Sequence, residues 1–425
     1  MKKFLSTVIL ITIISFVVNG QTTVSGGIYT NTTWTLANSP YTADTVVVFP
    51  NVILTIEPGV VVTVNGNLEI RQATLIAEGT TADSITLIGT LPTAPWGDTL
   101  SSVIVNFNNA LSSRMNYCII KDIALGNNVS EGISARMNSL TDTLTIRNSY
   151  FTNNGVAIVM NSAIIDSCFF EGNLIATQQT YGTITNSIFK KNQYGLTFVQ
   201  GANIQNCIID SNAFVGIQSA QLNTISNCQI RNNGTGIKCD LNSGGFGSQI
   251  HNNVIENNSI GIQLFDSDSP DSIYCNRICN NSTYNLKNST SYNREVANNF
   301  WCTNDSLTIA NSIYDGYDNT NVGLVNFMPV DEFQCYSVTG IPTYEFESFL
   351  LSIYPNPSSE YLTVELPSNI SKATIKIFNL LGELAFTSTV TKHKSNINIS
   401  TLAKGAYIIQ TLDGEAIGRQ KLIKE

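Results

Sequence analysis

Through the middle of the chain, apolar and polar residues alternate for a few positions, the alternation slips by one residue, and the same order begins again. The clearest copy reads Ile204, Gln205, Asn206, Cys207, Ile208, Ile209, Asp210, Ser211 and Asn212, followed by Gly216 and Ile217. The order returns at Ile184, Asn186, Ser187, Phe189, Asn192, Gly195 and Leu196, at Ile225, Asn227, Cys228, Ile230, Asn233, Gly236 and Ile237, and at Ile250, Asn252, Asn253, Ile255, Asn258, Gly261 and Ile262. Fainter copies run from Ile146 to Asn154, Ile165 to Asn173, Ile273 to Asn281 and Val296 to Asn304. Successive copies lie 19 to 25 residues apart, a spacing typical of units that stack into a solenoid because none can bury its apolar face alone.

Within a copy the apolar residues never recur at helical spacing, so each unit is expected to consist of strands. Cys207 and Ile209 keep a period of two, whereas Ile204 lies three residues before Cys207. The extra residue falls at Gln205 and Asn206 and predicts a corner, because Asn tolerates the left-handed backbone of a tight bend. Coils stacked about 4.8 Å apart turn sequence columns into side-chain ladders. One interior column is then Ile146, Ile165, Ile184, Ile204, Ile225, Ile250 and Ile273, and another is Phe151, Phe170, Phe189, Ile209, Ile230, Ile255 and Ile278. Each such side chain contributes roughly 1.5–3 kcal/mol once buried. A third column, Asn154, Asn173, Asn192, Asn212, Asn233, Asn258, Asn281 and Asn304, has the composition of an amide ladder, with solvent-facing turn asparagines as the competing reading.

Composition agrees with an all-β fold and narrows the partners. Only 12% of residues are charged and the net charge is −9, so nucleic acid and anionic lipid are poor partners. β-Branched residues outweigh strong helix formers. At the start, Lys2 and Lys3 precede an apolar run from Leu5 to Val18 that is too short to span a bilayer comfortably. It reads as a signal peptide over residues 1–20 with Gln21 as the mature N-terminus, an uncleaved anchor being the alternative. No later stretch is long and apolar enough to cross a membrane, so no transmembrane segment is expected in the mature protein.

The asparagine periodicity stops near Cys335, which places a solenoid over residues 21–335 and a linker over 336–348. Ile353, Tyr354, Pro355, Asn356 and Pro357 then open a second region, with alternating strands from Tyr361 to Leu366, Ala373 to Phe378 and Ala406 to Thr411. Such strands suit a small antiparallel β-sandwich. Residues 349–425 resemble the type A sorting domain of type IX secretion cargo. The resemblance rests on Tyr354-Pro355-Asn356-Pro357, on Ile377-Phe378-Asn379-Leu380-Leu381-Gly382-Glu383, on Leu402 with Gly405-Ala406-Tyr407, and on the terminal Lys421-Leu422-Ile423-Lys424. It implies a Gram-negative cell of the Bacteroidota kind, periplasmic transit, and passage of the outer membrane on the type IX secretion machinery, ending in release or attachment to surface lipopolysaccharide. An accessory module of immunoglobulin type is the alternative.

The repeats in turn resemble the parallel β-helix of pectin-lyase-like proteins over about residues 50–330. Leu54, Thr55, Ile56, Glu57, Pro58 and Gly59 look like the opening coil of such proteins. Asn298, Asn299, Phe300 and Trp301, then Ile313, Tyr314, Asp315 and Gly316, and finally Val325, Asn326, Phe327 and Pro329, look like their closing coils. This resemblance implies a right-handed helix with three strand faces.

Nine cysteines in an exported chain invite disulfides, and the odd count forbids pairing them all. Cys118, Cys168, Cys207 and Cys228 fall in an inward column that elsewhere holds Ser or Asn, and read as small buried thiols. Cys279 and Cys302 each follow the inward isoleucine column, point outward and lie one coil of 23 residues apart. In-register stacking would bring them within disulfide reach; Cys239, Cys275 and Cys335 are the competing partners. None of the cysteines forms a second pair at zinc-ligand spacing.

Groups capable of chemistry are sparse. His251, in a coil corner, and His393, in the sorting region, have no sequence neighbours that mark a catalytic group. Asp266, Asp268 and Asp271 form an acidic loop, and Asp315 and Asp318 a pair in the closing coil; both suit calcium and both suit an ordinary turn. Asp210 and Lys190 or Lys191 fall on neighbouring coils, where a lone exposed ion pair carries little. No catalytic, cofactor-binding or metal-ligating set is assigned. Architecture alone does not make an enzyme. Two functions stay open: a non-catalytic secreted or surface protein for adhesion, matrix building or glycan binding, with extracellular polysaccharide as partner, and a polysaccharide lyase or glycoside hydrolase acting on an acidic polysaccharide. The near absence of titratable groups in the repeats favours the first.

Overall fold

A computed structural model describes residues 21–89, 103–122, 131–137, 142–160, 163–178, 181–240, 247–265, 272–331, 351–366, 373–379, 384–413 and 416–425. Outside them lie the expected signal peptide and linker, Cys335, the acidic loop at Asp266, Asp268 and Asp271, and Leu380 to Glu383 of the sorting motif. The chain forms two compact units, one on either side of residue 342.

The first unit is a right-handed parallel β-helix. Its first face is an 11-stranded parallel sheet that includes Gly182–Thr185, Ala202–Gln205, Thr224–Ser226, Gln249–His251 and Ser272–Tyr274. The second face carries Phe169–Glu171, Ile188–Lys190, Ile208–Asp210, Gln229–Arg231 and Val254–Glu256. The third carries Tyr194–Gln200, Val215–Gln221, Thr235–Asp240, Ile260–Phe265 and Tyr284–Asn288. Each strand pairs in parallel with its counterpart one coil away, which right-handed crossovers permit.

Both interior columns stand in register. Ile146, Ile165, Ile184, Ile204, Ile225, Ile250 and Ile273 pair in succession, as do Phe151, Phe170, Phe189, Ile209, Ile230, Ile255 and Ile278. The phenylalanine rings stack at 4.6 and 4.7 Å between centroids. The corner after the first face is left-handed at Asn186, Asn206, Asn227, Asn252 and Asn298, with φ from 51° to 59°. A second left-handed corner, after the second face, is held by Asn153, Asn232, Asn257 and Asn280 as well as Lys191 and Ser211.

Behind that second corner runs the amide ladder. The side-chain amide of Asn212 donates to Asn233 Oδ1 (2.9 Å) and to the Phe189 carbonyl (3.0 Å), and its Oδ1 accepts from the backbone and side-chain nitrogens of Asn192. The same exchange links Asn154, Asn173, Asn192, Asn212, Asn233, Asn258 and Asn281. Asn154 to Asn258 are buried amides, not solvent-facing turn residues, and Asn281 at the end is half-buried. The ladder is one member shorter than the sequence pattern: Asn304 is exposed, and Asn281 ends on Asn285 Oδ1 within its own coil. In this coil the left-handed residue is Cys302, one position earlier than in the coil before, and after Asn304 the chain enters a short helix, Ser306–Asn311, whose N-terminus Asp305 caps, so the ladder position is not repeated. The glycines beside the ladder are there for space. A Cβ on Gly236 or Gly261 would meet the Asn258 or Asn281 amide nitrogen at 3.0 or 2.7 Å.

A second ladder stands behind the first corner. Cys228 N donates to Asn253 Oδ1, and Asn253, Asn276 and Asn299 continue amide to amide. Earlier in this column sit Cys118, Ser149, Cys168, Ser187 and Cys207, whose side chains accept from or donate to the backbone in the same positions. These thiols are buried, and desolvation raises the pKa values of Cys118 and Cys168 to about 12.

The solenoid begins one coil before the expected opening segment. Leu54, Thr55 and Ile56 pair with Thr32, Thr33 and Trp34, so Ile53–Ile56 is already a second rung. At the other end Ile313–Tyr314 stacks on Leu286 and Lys287, and Arg294–Glu295 pairs with Val325–Asn326. Cys279 and Cys302 form a disulfide with Cα atoms 5.9 Å apart. Cys279 occupies the outward side of its strand yet is only 2% exposed. Cys275 is also disulfide-bonded, while Cys239 is a buried free thiol.

The second unit consists of two antiparallel sheets, one of Ser352–Tyr354, Tyr361–Glu365 and Lys394–Asn398, the other of Leu384–Val390, Ala373–Asn379, Gly405–Asp413 and Ala416–Lys424. Leu362 and Val364 of the first share one core with Ile375, Ile377, Ile409 and Leu422 of the second. The motif residues are structural here: Asn356 Oδ1 accepts from Ile423 N, and the Tyr407 hydroxyl donates to the Ala403 carbonyl.

Candidate functional site

Because the interior is fixed by packing, function has to be sought in the outward columns, where the three faces differ. On the first face the outward column is Thr145, Ile164, Thr183, Asn203, Thr224, Gln249 and Ser272, nearly all small and polar. On the second face it is mostly apolar. The third face presents two parallel lanes. One is Ile175, Tyr194, Val215, Thr235, Ile260 and Tyr284. The other is Gln218, Lys238, Gln263, Lys287 and Tyr314.

Side-chain contacts fix the residues of the polar lane. Lys238 Nζ lies 2.7 Å from Asp240 Oδ2, which also accepts from Gln218 Nε2 at 3.0 Å. The same ammonium sits 4.8 Å from the centre of the Phe265 ring, and that of Lys287 5.3 Å from the Tyr314 ring, distances at which a cation is attracted to an aromatic face. Tyr284 packs against Tyr314 at 5.4 Å, and Tyr194 against the exposed Phe214 at 5.0 Å. Rings thus flank a row of amides and ammoniums. Apolar surface beside convergent donors is what a partly apolar, hydroxyl-rich ligand requires.

The candidates read from sequence lie elsewhere. Asp315 accepts from Tyr317 N and Val325 N, and Asp318 accepts from Asp315 N; both carboxylates are spent on backbone amides of the closing coil. Asp210 accepts from the Ser211 hydroxyl and the Asn232 amide. Lys190 stands beside it in register, but Lys191 pairs with Glu171 at 3.0 Å instead. His251 stacks on Tyr274, and partial burial lowers its pKa. His393 Nε2 lies 3.6 Å from Glu365. Among the described residues no group of three or more His, Cys, Asp or Glu is placed to hold a metal ion. Sequence reading missed Gln218, Lys238, Asp240, Gln263 and Lys287. A signal was present, since Gln218, Lys238 and Gln263 each directly follow a Gly-Ile pair, and Lys287 follows Asn285-Leu286.

Comparison with known proteins bears on both units. Residues 352–425 match the secretion system C-terminal sorting domain family, and residues 164–319 match the family described as periplasmic copper-binding protein (NosD). No curated protein matches the chain. Among solved structures, the chain is similar to the periplasmic alginate epimerase AlgG, at 12% identity and a TM-score of 0.26 over 69% of this chain and 75% of that one. It is also similar to a tailspike protein of the Acinetobacter baumannii bacteriophage Fri1, a capsular polysaccharide depolymerase, at 10% identity and a TM-score of 0.30 over 88% and 73%. The chain therefore combines a parallel β-helix with a C-terminal sorting domain of the type IX secretion system, and no helix among the described residues is long and apolar enough to cross a membrane.

Proposed function

We propose that this is an exported, non-catalytic glycan-binding protein. A signal peptide over residues 1–20 sends the chain to the periplasm, and the sorting domain then delivers it to the outer surface or the medium. There the third face of the solenoid holds an extracellular polysaccharide. The observation that carries this reading is the two-lane track from Tyr194 and Gln218 to Tyr284 and Tyr314. Its rungs repeat about every 4.8 Å, so the same pairing of ring or aliphatic surface with amide or ammonium recurs along one line. A repeating line of contacts suits an extended polymer better than a compact metabolite. The sugar's C–H faces would lie on the apolar lane and its hydroxyls would meet Gln218, Lys238, Gln263 and Lys287.

Copper binding, the property named for the family matching residues 164–319, does not fit the donors among the described residues. Cys168, Cys207 and Cys228 face the solenoid interior, fully enclosed, and desolvation raises the Cys168 and Cys207 pKa values far from the thiolate form a soft metal needs. Cys275, Cys279 and Cys302 are engaged in disulfides.

The test is affinity electrophoresis of the mature chain through gels containing a panel of bacterial and algal polysaccharides. Retardation by at least one is expected, with Lys238→Ala/Lys287→Ala weakening it about ten-fold and Thr183→Val, on the first face, leaving it unchanged. Absence of retardation across the panel overturns the reading. Release of unsaturated or reducing ends from the bound polymer would replace it with the lyase or hydrolase alternative.

A further inference from the structure

The second face departs from the polar outward columns of its neighbour, with an apolar column that is half-buried and, at Ile188, only 8% exposed. In its outward column Ile119, Tyr150, Phe169, Ile188, Ile208 and Val254 follow one another in register, interrupted only by Gln229. An outward column on a solvated sheet is ordinarily polar, as the threonines and amides of the first face show. Beside the apolar column, on the same strands, charge alternates: Lys121, Thr152, Glu171, Lys190, Asp210, Arg231 and Glu256. Within one chain the alternation sets unlike charges on neighbouring rungs, which favours the observed register. Glu171 takes Lys191 and Glu256 takes Arg277 at 3.4 Å, whereas Lys190 and Arg231 join no ion pair among the described residues.

We propose that this face is an interface with a second copy of the same chain, the two solenoids running antiparallel. A two-fold axis lying along the strand direction, midway between the Ile188 and Ile208 rungs, keeps each column opposite itself and inverts the order of rungs. Lys190 then faces Asp210 of the second copy, and Glu171 faces Arg231. Ile188 lies against Ile208, and Tyr150 against Val254. The alternating ladder is antisymmetric about that axis, so every charged pair it brings together is of unlike sign. Docking shifted by one rung sets like against like. A self-complementary patch repeated on both subunits is what a closed dimer needs, and its charges select orientation and register. Seven rungs span six strand spacings, so the face extends about 29 Å along the solenoid. Its width is that of three-residue strands, about 10 Å, so the flat area is about 300 Å² per partner, well under the roughly 800 Å² of stable interfaces, and the dimer is expected to be weak and concentration-dependent.

Sedimentation velocity of the mature chain over a range of concentrations tests the arrangement. The wild type is expected to shift from monomer to dimer as concentration rises. Lys190→Glu sets a carboxylate against Asp210 at both ends of the axis, and Asp210→Lys sets an ammonium against Lys190 at both; each alone should weaken dimerisation at least ten-fold. In an equimolar mixture, the carboxylate introduced by the first variant faces the ammonium introduced by the second. The native Asp210 of the first then faces the native Lys190 of the second, so the mixture should restore the dimer. Circular dichroism identical to wild type checks that substitution of these half-buried residues leaves the fold intact. A wild type that stays monomeric, variants that dimerise as well as wild type, or a mixture no better than its components would each overturn the proposal.

Discussion

In the coils before residue 90 the interior is almost wholly aliphatic: Ala43, Val46, Val48, Leu54, Ile56, Val62, Val64, Leu68, Ile70 and Leu75 are all buried. Their strands are long, and Val61–Arg71 pairs with Ile85–Gly89 through its first half and with Val103–Ala110 through its second. In the coils from residue 144 to 302 the strands of the first two faces are only three or four residues long, left-handed corners separate the faces, and two amide columns replace part of the apolar fill. Aliphatic columns bury area wherever they land, so a rung could slide by two residues and still cover its neighbour. An amide column has no such tolerance, because each Asn must meet the next one or leave buried donors and acceptors unpaired. The early coils fix register instead through irregularities, with shifts between Val24 and Gly26 and between Ala43 and Thr45, as bulges do. Two parts of one solenoid thus specify stacking by different means.

The sharpest way to break this contrast is to delete one amide. Asn212→Ala removes the acceptor of two Asn192 hydrogen bonds and the donor to Phe189 O, and takes from Asn233 Oδ1 the side-chain member of its two donors. With several buried groups orphaned, the expected cost is about 4 kcal/mol. The same change at Asn281, where the ladder ends and the side chain is partly exposed, should cost about 1 kcal/mol. Urea midpoints of the two variants measure the difference. Equal losses would show that the column acts as separate turns and not as a ladder.

Much of this was legible because stacking forces a residue to resemble those above and below it. Ile184, Ile204 and Ile225, or Phe170 and Phe189, repeat in sequence for the reason that they touch in space. The stacked strands and the first corner at Asn206 follow from that periodicity; the right-handed, three-faced form comes with the resemblance to pectin-lyase-like proteins, and the spacing puts Cys279 within reach of Cys302 while leaving Cys239, Cys275 and Cys335 open as partners. Outward residues escape the constraint. Gln218, Lys238, Gln263 and Lys287 share a lane but no identity; only their place directly after the inward Ile217, Ile237, Ile262 and Leu286 aligns them, while the intervening corners and loops vary in length. Asn304 misled for a related reason: it keeps the spacing of the ladder, yet the helix capped by Asp305 takes the chain away from the next corner. The coil before Leu54 falls inside the expected solenoid over residues 21–335 but the pattern does not single it out, because Thr32–Trp34 carries no asparagine and copies the repeat only in its inward Trp34.

A second contrast separates the ends of the solenoid, since the disulfide at Cys279 and Cys302 lies in the closing coils and the early coils contain no cysteine before Cys118. Cys302→Ser opens a loop of 23 residues, for which the expected loss is about 3 kcal/mol. Because each rung touches only its neighbours, the loss should be local. Hydrogen exchange should speed up at Ile278 and Asn281 and stay unchanged at Leu75 and Ile76. Uniform loss of protection along the whole solenoid would contradict the nearest-neighbour picture.

The smallest expected effect concerns the one carboxylate buried in the early coils. Glu69 accepts two hydrogen bonds from Arg71, at 2.8 and 2.9 Å, and one from Asn108, and the Arg71 guanidinium, foremost, lowers its pKa. A carboxyl whose folded pKa lies below its unfolded value binds protons more readily in the unfolded chain. Its stabilising contribution is therefore complete above the unfolded pKa of about 4.3 and is lost as pH falls through the lower folded value. Glu69→Gln keeps the shape and removes the charge, so the variant should be less stable than wild type at pH 7 by about 1 kcal/mol and nearly equal to it at pH 2. The amide-laddered coils contain no charged counterpart in their interior columns, so hydrogen exchange between those pH values should show acid loosening Leu68 and Ile70 before Ile209 and Ile230. An unchanged gap between wild type and variant across that range would mean that Arg71 serves only as cover over Phe49, whose ring it overlies at 5.6 Å, and not as the partner that holds Glu69 ionised.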